Sequence, residues 1–388
     1  MKILFWKHGT SKDAFRQRYI ESAQKEFPHL RYETDGEYGV AIHGADKYKV
    51  VNIWLERGYE ELSKSPKNAD EILSRWIAML RETVNADNSI DLDAIVPVIK
   101  PAKWPEQQRT IQRELNGSDV VMDYWVEPYN SELTIMYSQW RTGFWYPSRQ
   151  AFAATGKTFD ELRIIAMDNL RRRATGRMIT GTEGLYLVSV GGNVDTSLIL
   201  LDEIWRDARL RFDGNPLVAL PDRSTFIACD SADVSQVYRA AVSALDLCRS
   251  EQYPVSPFLF VRKGDRFEHF DDKAEDDEHP IPNLDVVDIH ARKKGGGSTL
   301  SMLIASPLHA DARSAYRLAR KLDTYIQFMS AAEIVTECGT PTPTNTEINV
   351  VIHGASDQAM LDLLSGLEDV VARHGAKLVV SKRASFTD

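Results

Sequence analysis

The sequence predicts an α+β protein with mixed and antiparallel sheets and packed helices. Three observations carry this expectation. Short strand-like runs come in pairs around turn residues, as at 30–34 and 38–43 with Asp35-Gly36 between them. Longer segments repeat their apolar residues at helical spacing, as do Phe15, Tyr19, Ala23 and Phe27. The last hundred residues read β-β-α-β-α-β, the order of a separate compact α+β domain.

Taken in order, residues 1–86 form a first α+β unit. It has a helix over 11–27, strands at 30–34, 38–43 and 49–53, and a helix through Trp54, Tyr59 and Leu62. A further helix carries Ile72, Leu73, Trp76, Ile77, Leu80 and Val84 on one face. A central domain spans 87–270. Pro97 places the apolar run 95–99 at a sheet edge or a strand start, and 100–105 reads as a turn. Runs at 120–126 and 133–138 form an antiparallel pair. Trp140, Phe144, Trp145 and Tyr146 either stack a ligand or fill a corner between sheet and helix, and with only Arg141 and Arg149 interleaved, packing is the expectation. Thr158-Phe-Asp-Glu161 is a capping box, in which the threonine hydroxyl takes the N3 amide and the glutamate reaches back. In the helix it opens, Asn169 falls among Leu162, Ile165, Ala166 and Leu170, and a buried amide there must brace a loop or meet a ligand.

The run 185–190 enters Gly191-Gly192-Asn193-Val194-Asp195, where glycine allows a tight turn. A helix is predicted over 194–209, capped by Asn193 or Asp195, with Asp202 and Arg206 paired on its surface. This turn is neither a phosphate loop nor a dinucleotide fingerprint. Asp195 and Asp202 recur on one face, but a solvated polar face explains them without a cation. Strands at 217–220 and 225–229 flank Pro221-Asp222-Arg223-Ser224. A helix over 236–248 and a hairpin around Lys263-Gly264-Asp265 close the domain.

Residues 271–283 are mostly acidic and end in prolines, and they read as a linker. The C-terminal α+β domain covers 284–388. Lys293-Lys-Gly-Gly-Gly-Ser298 joins its first two strands as a flexible turn. Its long helix, 311–331, turns Ala315, Leu318, Ala319, Leu322, Ile326 and Met329 inward.

Composition narrows the function classes. The chain has 388 residues, 43% hydrophobic and 27% charged, as expected of a globular protein of two or three domains. A net charge of −9 argues against a nucleic-acid surface. The basic run Arg171-Arg172-Arg173 sits late in a predicted helix, where cations complement the dipole. Cys229, Cys248 and Cys338 form no CxxC pair, so neither a zinc site nor a disulfide framework is expected. Free thiols point to the reducing cytoplasm. Residues 1–7 carry too short an apolar run for a signal peptide, and no apolar stretch of about 18 residues offers a membrane span. His290, His309, His353 and His374 have no metal-ligand spacing. No cofactor and no metal are expected.

Five stretches together resemble a known family: Ile95-Val-Pro-Val-Ile99, Ala166-Met-Asp-Asn-Leu170, Asn193 to Trp205, Val218-Ala-Leu-Pro221, and Pro257-Phe-Leu-Phe260 with the hairpin to Phe270. In this order and spacing they are similar to the YtpQ-like family of bacterial proteins, a domain-of-unknown-function family, over about residues 10–270. The C-terminal domain is similar to a second small uncharacterised bacterial domain. The resemblance implies a bacterial cytoplasmic α+β protein and no particular activity. The long C-terminal extension departs from the shorter members.

No motif is specific for a reaction. The expectation is a non-catalytic protein-binding, adaptor or immunity-type module with a protein partner, no nucleic acid and no membrane. An acidic immunity protein facing a basic nuclease is one such case. The alternative is an enzyme whose polar site is built from loops, with Asn169, Asn193, Asp195, Asp222 and Arg223 as candidates near element ends. The sequence leaves the oligomeric state open.

Overall fold

The computed structural model describes residues 11–43, 50–84, 90–116, 123–140, 144–182 and 184–384. Predicted features at 1–10, 85–89 and 120–122 lie outside them. The fold is α+β. The chain divides into two compact units, one of 1–91, 109–123 and 139–156, the other of 92–108, 124–138 and 157–388.

In the first unit α1 (Lys12–Glu26) is capped by Ser11, whose hydroxyl accepts from the Ala14 amide at 3.2 Å. Strands β1 (Arg31–Asp35), β2 (Gly39–His43) and β3 (Val50–Trp54) form an antiparallel sheet. Helices α2 (Glu56–Lys64) and α3 (Ala69–Val84) follow. Phe15, Tyr19, Ala23, Val40, Ile42, Leu62 and Leu80 close one core, so the four-residue repeat read in 11–27 is a buried stripe.

Next come β4 (Ile95–Pro101), α4 (Trp104–Asn116), β5 (Val126–Pro128), β6 (Leu133–Trp140) and β7 (Phe144–Trp145). The turn read at 100–105 is narrower, 102–103, and joins β4 to α4, whose second residue is Pro105, in the first turn where a missing amide costs nothing. Phe144 and Trp145 form β7, paired antiparallel with Trp140 and Gln139. Helix α5 (Arg149–Ala153) is capped by Ser148.

The second unit contains α6 (Phe159–Ala174), which opens with the capping box. The Thr158 amide donates to Glu161 Oε2 at 2.8 Å, and Thr158 Oγ1 accepts from the Glu161 amide at 3.3 Å. Strands β8 (Met178–Thr182) and β9 (Leu185–Ser189) precede a short 3₁₀ turn, Asp195–Leu200, and a one-turn helix α7 (Asp202–Trp205). The continuous helix expected over 194–209 is therefore absent. Asp195, Thr196, Ser197, Leu198 and Ile199 are all buried, so the segment has no solvent face for an amphipathic helix to present. It ends at Leu201, which is extended. Val194 holds the N-cap position without a side-chain cap, so neither Asn193 nor Asp195 caps.

Strands β10 (Pro216–Ala219) and β11 (Ile227–Asp230), helix α8 (Val234–Ser250), and strands β12 (Leu259–Lys263) and β13 (Arg266–His269) complete an antiparallel sheet in the order β13-β12-β10-β11-β9-β8. The ββαβαβ pattern then appears as expected: β14 (Ile289–Arg292), β15 (Ser298–Ile304), α9 (Ala312–Ser330), α10 (Ala332–Cys338), β16 (Glu347–His353), α11 (Gln358–Ser365), α12 (Glu368–Arg373) and β17 (Lys377–Arg383). Its sheet is mixed, with β14 antiparallel to β15 and β15, β16 and β17 parallel.

The acidic stretch 271–283 is packed rather than tethering. The Arg317 side chain on α9 is 0% exposed and donates to Asp271 Oδ2 (2.9 Å), Ile281 O (2.9 Å), Lys273 O (2.7 Å) and Pro282 O (3.0 Å). Lys321, one turn on, donates to Asn283 O, Val286 O and Asp288 at 2.6–2.8 Å. Beneath this strap one core joins Leu217 and Ala241 to Leu300, Leu318 and Val350.

Candidate functional site

Four polar side chains converge where β4 ends. Lys100, next to last in β4, is only 8% exposed, and its ammonium lies 5.3 Å over the Trp104 ring. Burial pushes Lys100 down to about 8, and the charge of Arg223 adds to the effect. The Arg223 guanidinium in turn lies 3.6 Å over the Tyr253 ring, and its amide donates to Tyr253 O at 3.3 Å.

Asp195 and Asp222 are both buried near this point. Asp195 Oδ2 accepts from Ser189 Oγ at 2.7 Å and Oδ1 from the Val190 amide at 3.0 Å. Desolvation raises the Asp195 carboxyl above its ordinary range; donors from Val190, Ser189 and Gly192 offset part of this, while the negative charge of Asp222 adds to the rise. Asp222 Oδ1 accepts from the amide and the hydroxyl of Ser224 at 2.7 and 2.6 Å. The 3₁₀ turn is stitched to its neighbours by hydroxyls. Ser197 Oγ accepts from the Ile99 amide at 3.3 Å, and Thr196 Oγ1 donates to Arg223 O at 3.5 Å.

The structure thus brings together Asp195, Asp222 and Arg223 and adds Lys100. Asn169 braces the entry to β4, its Nδ2 donating to Leu92 O at 2.8 Å and Ile95 O at 2.7 Å, while Oδ1 accepts from Arg172. Asn193 is half-buried in the turn, where Gly191 takes the positive φ of 74°. Asp202 belongs elsewhere: it pairs with Arg262 at 2.9 Å, not with Arg206 and not with Asp195. Of the three consecutive arginines, Arg171 pairs on the surface with Asp168 and Glu203, whereas Arg172 donates to the buried Asn169.

A buried lysine whose ammonium is disfavoured by desolvation and by a neighbouring guanidinium has the chemistry of a base or a nucleophile. Asp195 and Asp222, however, already accept from backbone and hydroxyl donors of their own turns. Among the described residues no group of three or more His, Cys, Asp or Glu side chains is placed to hold a metal ion. No helix among them is long and apolar enough to cross a membrane.

A second feature is a groove of about 680 Å³ between α8 and α11–α12. Its walls include the half-buried Val234, Val242, Leu363 and Val370. The Tyr238 ring lines it, 3% exposed, with a hydroxyl that has no hydrogen-bond partner among the described residues. Arg239 and Arg373 are exposed on its lining and make no ion pair among those residues. The sequence reading missed both features: a single lysine closing an apolar strand and two arginines far apart in the chain form no motif. No family model, curated protein or solved structure matches the chain.

Proposed function

We propose that the protein is a non-catalytic binding module that takes a segment of a protein partner into the groove between α8 and α11–α12. The observation that carries the reading is the groove itself: apolar walls, a buried tyrosine hydroxyl and two arginines without ion partners. Such a surface suits an apolar segment with acidic residues. It does not favour the basic nuclease target suggested by the net charge. That Asp195, Asp222 and Asn169 brace backbone supports the same reading. The YtpQ-like resemblance remains part of the proposal and adds no activity to it.

The test is co-purification with light scattering at low salt, comparing the native chain with an Arg239→Glu, Arg373→Glu double variant. A complex of fixed stoichiometry that the double variant loses, with its melting temperature kept, is the expected result. No complex, or one indifferent to both charges, would remove the reading.

The alternative reading, an enzyme, is favoured by one observation, the buried Lys100 beside Arg223. Borohydride trapping of a carbonyl compound on Lys100, absent in Lys100→Met, would bring that reading forward.

A further inference from the structure

We infer that the partner segment seated between α8 and α11–α12 is an amphipathic helix with acidic residues, whose backbone comes closest to this chain at Gly366; the inference rests on the groove being the binding site. Both walls of the groove are helical stripes. Val234, Tyr238 and Val242 follow one another at four-residue spacing along α8. Leu363, Leu367 and Val370 line the other wall at spacings of four and three, across the join of α11 and α12. The α8 stripe, from Val234 to Ser243, runs about 14 Å, the length of about nine helical residues.

Gly366 lies exposed within the second stripe. The fold itself does not need a glycine there. Its φ of −76° and ψ of −4° belong to an ordinary right-handed helix end, not to the left-handed conformation in which glycine closes so many helices. A Cβ at this position would meet nothing nearer than Leu363 O at 3.4 Å and Asp362 O at 3.6 Å, ordinary contacts within its own turn. A glycine that could be alanine costs the chain conformational entropy on folding. What it supplies is a gap between Leu363 and Val370, and such a gap lets a second backbone approach closely.

The walls also decide between a helix and an extended segment. Neither is a sheet edge, so an extended segment would find no row of backbone partners and would bury its own amides and carbonyls against valine and leucine side chains. A helix satisfies its backbone internally and offers apolar residues at i, i+3, i+4 and i+7 to the two stripes. Charge sets the remaining positions. The lining carries two exposed guanidinium groups, Arg239 and Arg373, against one carboxylate, Asp362, which already accepts from Gln358 Nε2 at 2.7 Å. Aspartate or glutamate beside the apolar stripe of the incoming helix complements that surplus.

Selection of phage-displayed random peptides of about 16 residues, long enough to cross the groove as a helix, on the whole folded protein tests this. The expected winners carry apolar residues at helical spacing flanked by acidic ones, and their synthetic forms gain helical circular dichroism on binding. Gly366→Gln should weaken them about tenfold or more while melting no lower than the wild type. Gly366→Ala, with a single methyl in the gap, should weaken them about threefold and carries the test if the glutamine variant unfolds. Winners with alternating apolar residues and no gain of helix would overturn the helix, as would binding that needs Arg239 and Arg373 but ignores Gly366; either would leave the groove as the binding site. No winners, or winners indifferent to Gly366 and to both arginines, would remove the groove reading itself. A wild-type dimer in light scattering that Gly366→Gln turns into a monomer would show a second copy in the groove and overturn the partner helix.

Discussion

The Arg317 guanidinium and the Asp271 carboxylate meet at 2.9 Å with side-chain exposures of 0% and 3%. Asp271 also receives Arg313 at 3.1 Å, and Arg313 reaches Asp276 as well. The strap 271–283 is thus held by charges that α9 projects from 313, 317 and 321, one helical turn apart. The arrangement gives Asp271 a carboxyl below its ordinary range, the arginines outweighing the desolvation that opposes them.

Removing Arg317 takes one of three hydrogen bonds from a buried carboxylate and leaves the carbonyls of Lys273, Ala274, Ile281 and Pro282 without their shared partner. Arg317→Ala should therefore cost about 3–5 kcal/mol of unfolding free energy. Urea denaturation measures it. A loss under about 1 kcal/mol would mean that the strap is held by its apolar contacts, Ile281 and Leu284, instead.

Two histidines link this region to pH. His279 accepts from the Ile281 amide through Nδ1 at 3.0 Å, and burial, with Arg317 and Arg313 nearby, holds it down to about 4. Burial and Arg320 hold His269 down to about 4 as well. Both are neutral when folded and take protons near 6.5 when unfolded. Between those values the unfolded chain binds more protons, so stability falls as pH drops from about 6.5 to 4. The depressed carboxyl of Asp271 acts in the same direction at still lower pH: its stabilisation is present above its unfolded pKa and lost as pH falls through the folded one. His279→Asn keeps an acceptor for Ile281 and cannot ionise. Its melting temperature should decline less steeply over that window than the wild type's, and an unchanged slope would exclude His279 as a contributor.

Much of this fold was legible in the sequence because local chemistry and tertiary packing agree. Thr158 and Glu161 cap as a pair, Asp35-Gly36 turns a hairpin, and the glycine run joins β14 to β15. The misreadings share a cause. The helix expected over 194–209 failed because its polar residues are buried, and periodicity cannot show that a polar side is also covered. The linker at 271–283 failed because its charges were read without partners. Arg313, Arg317 and Lys321 stand at i,i+4 spacing on the following helix, and that pattern was the available signal. At the candidate site Asp195, Asp222 and Arg223 were named from their turns, but Lys100 had no local signature at all.

Glycines on two turns should respond differently to alanine. Gly191 has φ 74° and open space around its missing Cβ, so Gly191→Ala should cost only the left-handed backbone, about 1–2 kcal/mol. Gly297 has φ 90° and would drive its Cβ into Asn345 O. Gly297→Ala should cost more than about 2 kcal/mol and shift the nuclear magnetic resonance signals of Asn345. Equal losses at both positions would show that the backbone conformation, not the close approach, makes glycine necessary at 297.

The Asp195 carboxylate offers a direct separation of bracing from catalysis. It accepts from Ser189, Val190 and Gly192, and its charge is disfavoured by burial and by Asp222. Asp195→Asn removes the charge, keeps an acceptor for the Val190 amide and can donate to Ser189 Oγ. Asp195→Ala removes every bond and leaves the Val190 amide without an acceptor. If bracing is the role, the asparagine variant stays within about 1 kcal/mol of the wild type and the alanine variant loses about 1–3 kcal/mol. The partner complex should form with the asparagine variant at wild-type affinity, because the groove lies on α8 and α11–α12. A fully stable asparagine variant that loses function would show that the charge itself is used. That result would transfer the functional assignment to the cluster of Lys100, Asp195, Asp222 and Arg223, since only a reacting or ligand-bound group needs a negative charge that the fold disfavours.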